Sequence, residues 1–126
     1  MNTNDSKPSP LLLENRAALV TGGAGRLGQV IAATLQREGA KVVIADIDRA
    51  RLTAATARLS AVAKTWSVQG DVSQLQDVQK MVARAESLAG QIDILVNAHG
   101  IIPVRKFLDM TPDEWDRPFA VNVRGV

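Results

Sequence analysis

No cysteine occurs in this 126-residue chain. Disulfides, thiolate nucleophiles and zinc–sulfur centres are therefore excluded. No metal site is expected, and the composition suits the cytoplasm. Tyrosine is absent too, and histidine occurs once, as His99. No phenol can act as acid or base here, and imidazole chemistry is confined to one position. Long apolar runs are missing: nowhere do about 18 apolar residues follow one another, so no membrane span is expected. Nor does one sign of charge dominate. Lys and Arg number 15 against 13 Asp and Glu, a net charge of +2. The two signs are interspersed, which argues against nucleic-acid and membrane-surface partners. What remains, 46% hydrophobic and 22% charged residues, is ordinary globular composition. The length suits one small domain. Residues 1–10 are polar and proline-bearing, without the basic-then-apolar order of a signal peptide. Residues 1–14 are expected to form a flexible tail ahead of a domain over residues 15–126.

Short apolar runs alternate with helix-period patterns, which points to parallel α/β units. Ala17–Thr21 reads as a buried strand. A helix over Arg26–Glu38 follows, with Leu27, Val30, Ile31, Thr34 and Leu35 as its apolar face and Gly39 as its stop. Val42–Ala45 is the second strand, and Arg49–Leu59 the second helix, with Leu52, Ala55 and Leu59 on one side. Thr65–Val68 is the third strand. Ser73 is the expected N-cap of a helix that carries Val78, Met81, Val82, Ala85 and Leu88 and ends at Gly90. Ile92–Val96 is the fourth strand. Thr111, Pro112 and Glu114 fall at the N-cap, N1 and N3 positions of a capping box, and Pro118 is expected to kink or break that last helix near Glu114. Right-handed crossovers place the strands in the order 3-2-1-4, with a switch point between the first and the fourth. The expected fold class is α/β: a Rossmann-type doubly wound parallel sheet, truncated after about four strands.

The first strand runs into Thr21-Gly22-Gly23-Ala24-Gly25-Arg26-Leu27-Gly28. Gly23, Gly25 and Gly28 stand at G-x-G-x-x-G spacing. Such a turn lets the backbone approach a pyrophosphate and aims the N-terminus of the next helix at it. Asp46 ends the second strand about twenty residues further on, where a carboxylate would accept the adenine ribose hydroxyls. Asp48 shares or replaces that role. A carboxylate there repels the 2′-phosphate of NADP, so NAD is the favoured cofactor. Arg26 and Arg49 keep NADP as a second candidate, since either could meet a phosphate. A P-loop is excluded, because Gln29 and Val30 stand where Lys and Ser/Thr are needed.

Taken together, these residues resemble the short-chain dehydrogenase/reductase family from about Arg16 onward. Thr21 to Gly28 is similar to its Thr-Gly cofactor turn in the T-G-x-x-G-x-x-G form, which brings in Gly22. Asp71-Val72 resembles the family's aspartate after the third strand. Asn97-Ala98-His99-Gly100 resembles its Asn-Asn-Ala-Gly motif, and residues 119–125 resemble the helix segment that carries its tetrad asparagine. The resemblance implies roles. Gly22, Gly25 and Gly28 line the pyrophosphate turn, Asp46 binds ribose, and Asp71 binds adenine. Asn97 stabilises the sheet and the cofactor pocket, with Ala98 and Gly100 beside it. Asn122 is the one catalytic residue, holding a water in a proton relay. Two positions depart from the motif: Ala98 replaces its second asparagine and His99 its alanine. His99 is read as a loop substitution rather than a general base.

The family's acid–base set is a tyrosine, a lysine four residues after it, and a serine, all beyond the tetrad asparagine. This chain ends four residues past Asn122. The resemblance thus implies the N-terminal cofactor-binding portion of an enzyme that interconverts an alcohol and a ketone by hydride transfer, a homo-oligomer when complete. The chain alone is expected to be inactive, with an open sheet edge and uncovered Phe119, Val121 and Val123. A catalytically silent nucleotide-binding remnant is the alternative. A methyltransferase using S-adenosylmethionine is a third reading, since it too has a glycine turn and a following acid.

Overall fold

The computed structural model describes residues 10–126, so residues 1–9 of the expected tail lie outside it. Strands and helices alternate along the described residues. Strand β1 (Ala17–Thr21) leads into helix α1 (Arg26–Arg37), then β2 (Lys41–Asp46) and α2 (Arg49–Leu59). Strand β3 (Thr65–Gln69), helix α3 (Leu75–Ala89) and strand β4 (Ile94–Asn97) follow. A short 3-10 turn, Phe107–Asp109, precedes helix α4 (Pro112–Asn122). The four strands are parallel in the order β3-β2-β1-β4, as the crossover rule requires. Their register sets Thr21 level with Ala45 on one side and with Asn97 on the other. The C-terminal ends of β1, β2 and β4 therefore form one rim, and the site stands on it.

Ala17–Val20 of β1 and Val42–Ala45 of β2 are apolar without interruption because both faces of these strands are covered. Alternate residues feed two cores. Val20, Val42 and Ile44 pack with Ala32, Leu52 and Ala55 beneath α1 and α2. Leu19, Val43 and Ala45 pack with Met81 and Ala85 beneath α3. Strand β4 is the open edge among the described residues, and Leu95 on it is 58% exposed. Ahead of β1, residues 12–15 turn and dock on the end of α1: the Leu13 amide donates to the Glu38 carbonyl at 2.8 Å.

Several local expectations are corrected. Helix α1 ends at Arg37 and buries Gly28, Ala32 and Gln36, while Leu27, Val30 and Thr34 are exposed. The helix is rotated so that its smallest residue, Gly28, meets the turn. Ser73 does not cap α3. Position N-cap belongs to Gln74, and the Ser73 hydroxyl donates instead to Asp71 at 2.7 Å. Strand β4 starts at Ile94, because Asp93 is used otherwise. Its carboxylate accepts from the Ala17 amide and from Arg16, both at 2.9 Å, which holds the Asp93 carboxyl below the usual aspartate range. Asp48 caps α2 by accepting from the Arg51 amide at 3.0 Å. The capping box of α4 forms as read, with Glu114 accepting from the Thr111 amide at 2.9 Å. Pro118 does not break that helix, which runs on to Asn122. No residue of α4 is buried, so the Glu114 carbonyl that loses its donor can turn to water. Among the described residues, no helix is long and apolar enough to cross a membrane, and no cluster of His, Cys, Asp or Glu could hold a metal.

Candidate nucleotide site

Glycine is required at the turn for steric reasons that can be stated atom by atom. Gly22 adopts φ +65°, and a Cβ there would lie 2.5 Å from the His99 backbone nitrogen. A Cβ on Gly28 would collide with the Gly22 carbonyl oxygen, and one on Gly23 would lie 2.5 Å from Ile44 Cβ. The turn is thus pressed between α1, β2 and the segment after β4. Gly25 is the N-cap of α1; no side chain caps this helix, and no acidic residue sits in its first turn. The N–H groups of that turn, from Arg26, Leu27 and Gly28, retain their capacity to hold an anion.

Asp46 faces the turn from the end of β2. One carboxylate oxygen accepts from the Ala24 amide and the other from the Asp48 amide, each at 3.1 Å. The side chain is therefore fixed in place, yet a carboxylate has further lone pairs for incoming hydroxyls. Asp71 is held likewise, accepting from the Ser73 amide at 2.9 Å while its own amide donates to Asp77. Asn97 Oδ1 lies 3.3 Å from the Thr21 hydroxyl, and the Ala98 amide donates to the Thr21 carbonyl at 3.1 Å. Asn122 forms a two-way pair with the Ile101 backbone: Oδ1 accepts from N–H at 2.9 Å and Nδ2 donates to C=O at 2.8 Å.

A cleft of about 310 Å³ opens along this rim. Of the residues predicted from sequence, Gly22, Gly25, Asp46, Asp71, Val72, Ala98 and Gly100 line it. Thr21 and Asn97 line a second groove of about 670 Å³ on the α3 side, where Val72 contributes as well. Gly23, Arg26, Leu27, Gly28 and Asn122 line neither. They shape the turn or the Ile101 segment from behind. The basic residues on the cleft are Arg51 and Arg117, and neither Arg26 nor Arg49 reaches it. Position 51 was legible in principle: one turn into α2, it shares the rim with Asp48 at the N-cap. Arg117 carries no such local signal, because the approach of α4 to the cleft depends on long-range folding. His99 lines the cleft too, and it is bonded at both ring nitrogens.

The family model described as short chain dehydrogenase matches residues 16–126. Galactitol 2-dehydrogenase of Agrobacterium fabrum is 38% identical over 113 residues, covering 90% of this chain and 43% of that protein. Sorbitol dehydrogenase of Cereibacter sphaeroides is 37% identical over 115 residues, covering 90% and 43%. Among solved structures, a 3-ketoacyl-(acyl-carrier-protein) reductase from Brucella melitensis complexed with NADH superposes with a TM-score of 0.82 at 37% identity, over 90% of this chain and 47% of that one. The chain spans about half the length of the curated relatives it matches.

Proposed function

The chain belongs to the short-chain dehydrogenase family, and we propose that it is the nucleotide-binding half of an oxidoreductase that interconverts a secondary alcohol and a ketone. The observation that carries this reading is the left-handed Gly22 turn feeding an uncapped α1 N-terminus, with Asp46 across the same cleft. The residues fit a dinucleotide. A Cβ at Gly22 would strike the His99 backbone and one at Gly28 the Gly22 carbonyl, so only glycine lets the turn close this tightly ahead of α1, as a pyrophosphate-binding turn must. NAD, when bound, supplies the hydride acceptor. The chain's own residues bind and orient it: the turn and the first N–H groups of α1 hold the pyrophosphate, Asp46 the ribose, and Asp71 with Val72 the adenine end. Asn122 sets the Ile101 backbone and stands in the family's relay position. The fixed Asp46 carboxylate favours NAD over NADP, because a 2′-phosphate would meet a like charge. Arg51 and Arg117 on the cleft are the groups that would soften this preference.

Two relatives carry sugar-alcohol names and a third a ketoacyl name. A hydroxyl-bearing carbon and its ketone are what those names share, so small-molecule alcohols and ketones are the substrate class we assign, in a cytoplasmic enzyme. Removal of the alcohol proton needs a base. These residues contain no tyrosine, and both nitrogens of the single histidine are engaged. The chain alone therefore binds nucleotide without turning over.

Thermal melting of the 126-residue chain with NAD, NADP and S-adenosylmethionine tests the reading. A ligand at 100 times its Kd stabilises the native state by about 2.7 kcal/mol. A larger rise with NAD than with NADP is expected. A rise with S-adenosylmethionine alone would place the chain among methyltransferase-like binders, and no rise with any of them would leave a silent remnant.

A further inference from the structure

The one histidine occupies a position where the family motif has alanine, yet its ring spans two elements. Nδ1 lies 2.6 Å from the Thr21 hydroxyl at the end of β1, and Nε2 lies 3.1 Å from the Val121 carbonyl in the last turn of α4. A carbonyl can only accept, so Nε2 must carry a proton. In a neutral ring Nδ1 then has a lone pair, and the Thr21 hydroxyl donates to it. The hydroxyl's other neighbours, Asn97 Oδ1 at 3.3 Å and the Val96 carbonyl at 3.4 Å, are more distant acceptors. One neutral tautomer satisfies both contacts, and the other would set a lone pair against a carbonyl.

We propose that His99 is a positioning residue: as an Nε2-protonated imidazole it fastens the last turn of α4 to β1 and thereby holds Asn122 on the Ile101 backbone, which borders the nucleotide cleft. Helix α4 needs such a fastening because it buries none of its residues. Val121, whose carbonyl His99 holds, immediately precedes Asn122, whose amide pairs both ways with Ile101. On the opposite side, the His99 backbone is backed by Gly22 so closely that a Cβ would not fit. The ring therefore connects the glycine turn, the rim of the sheet and α4 at one point. Its bearing on cofactor binding rests on the reading that the cleft takes NAD; the fastening itself does not.

Because His99 is the only histidine, the imidazole nitrogens of the 15N-labelled full chain report on it alone. We expect one protonated and one unprotonated ring nitrogen, assigned to Nε2 and Nδ1, with the Nδ1 signal shifted in T21V. Ring nitrogens averaged between tautomers, as in free imidazole, would overturn the proposal. In H99A the Ile101 amide should lose hydrogen-exchange protection by about tenfold, while Val43 and Ile44 amides in β2 keep theirs. H99Q, whose amide can donate to Val121 and accept from Thr21, should restore it. Unchanged Ile101 protection in H99A overturns the proposal as well. Should H99A fail to fold, the tautomer measurement on the native chain decides. Addition of NAD should shift the His99 ring signals. If no resonance responds to NAD, the nucleotide reading falls, while the tautomer and exchange results still decide the fastening.

Discussion

At the glycine turn, the room around each Cα decides which residue can stand there. Gly22→Ala should be the most damaging glycine substitution, since it strains a φ of +65° and drives a Cβ to 2.5 Å from His99 nitrogen. A loss of about 1–3 kcal/mol is expected, with NAD binding abolished, read by denaturant melts and calorimetric titration. Gly25→Ala should be milder, because the nearest atom to its Cβ, the Gly22 carbonyl oxygen, is 3.1 Å away. Equal damage at both would show that neither the positive φ nor the closer contact at Gly22 sets the requirement. Asp46→Asn should raise the affinity for NADP relative to NAD by about tenfold, the scale of one like-charge repulsion near a surface. An unchanged ratio would remove Asp46 from cofactor choice. Gly23, Gly25, Gly28 and Asp46 are read from strand–turn–helix spacing, which is local, whereas Gly22 and Asp71 enter through the family resemblance. Arg51 can be reached by helical spacing. Arg117 and the two bonds of His99 cannot, since the rim of the sheet meets α4 only after the chain has folded back on itself.

Each element shows which signals are local. The capping box at Thr111 reads directly from four consecutive residues and forms. Thr111→Ala should destabilise by about 1 kcal/mol. It should do so mainly by fraying α4, visible as lost exchange protection at the Trp115 amide. The apolar face of α1 is misread from periodicity because the helix is seated by Gly28, a residue no hydrophobic pattern counts. Ser73 looks like an N-cap but is drawn to Asp71, whose carboxylate accepts both its amide and its hydroxyl. At the start of β1, the Ala17 amide and Arg16 stabilise the ionised form of Asp93 and lower its pKa. A folded value below the unfolded one means that this contribution is present at neutral pH and lost as pH falls through the folded value. Asp93→Asn should therefore lower stability at pH 7 and flatten the acid limb of the stability curve below about pH 4. Parallel acid limbs for the two proteins would exclude this role.

At the scale of the molecule, stability rests on two cores split by the sheet, and Ile44, fully buried between β2 and the α1–α2 layer, is central to one of them. Ile44→Ala should cost about 2–5 kcal/mol, checked by urea unfolding. The opposite end of the chain is different in kind. Phe107 and Trp115 meet edge to face at 5.7 Å and Trp115 and Phe119 meet tilted at 5.5 Å, yet each remains roughly half or more exposed. An exposed aromatic cluster and an open strand edge are each surfaces suited to association. Sedimentation of the chain across a concentration series should show self-association that Trp115→Ser weakens; a monomer at all concentrations would argue against it. The order β3-β2-β1-β4 also sets a timetable. The Ala17 amide finds Asp93 76 residues later in the chain. At synthesis rates of about 5–20 residues per second, that interval lasts roughly 4–15 s. Strand β1 is the first to leave the ribosome and the last to have both its flanks paired, so a strand interior to the finished sheet spends most of its making as an edge.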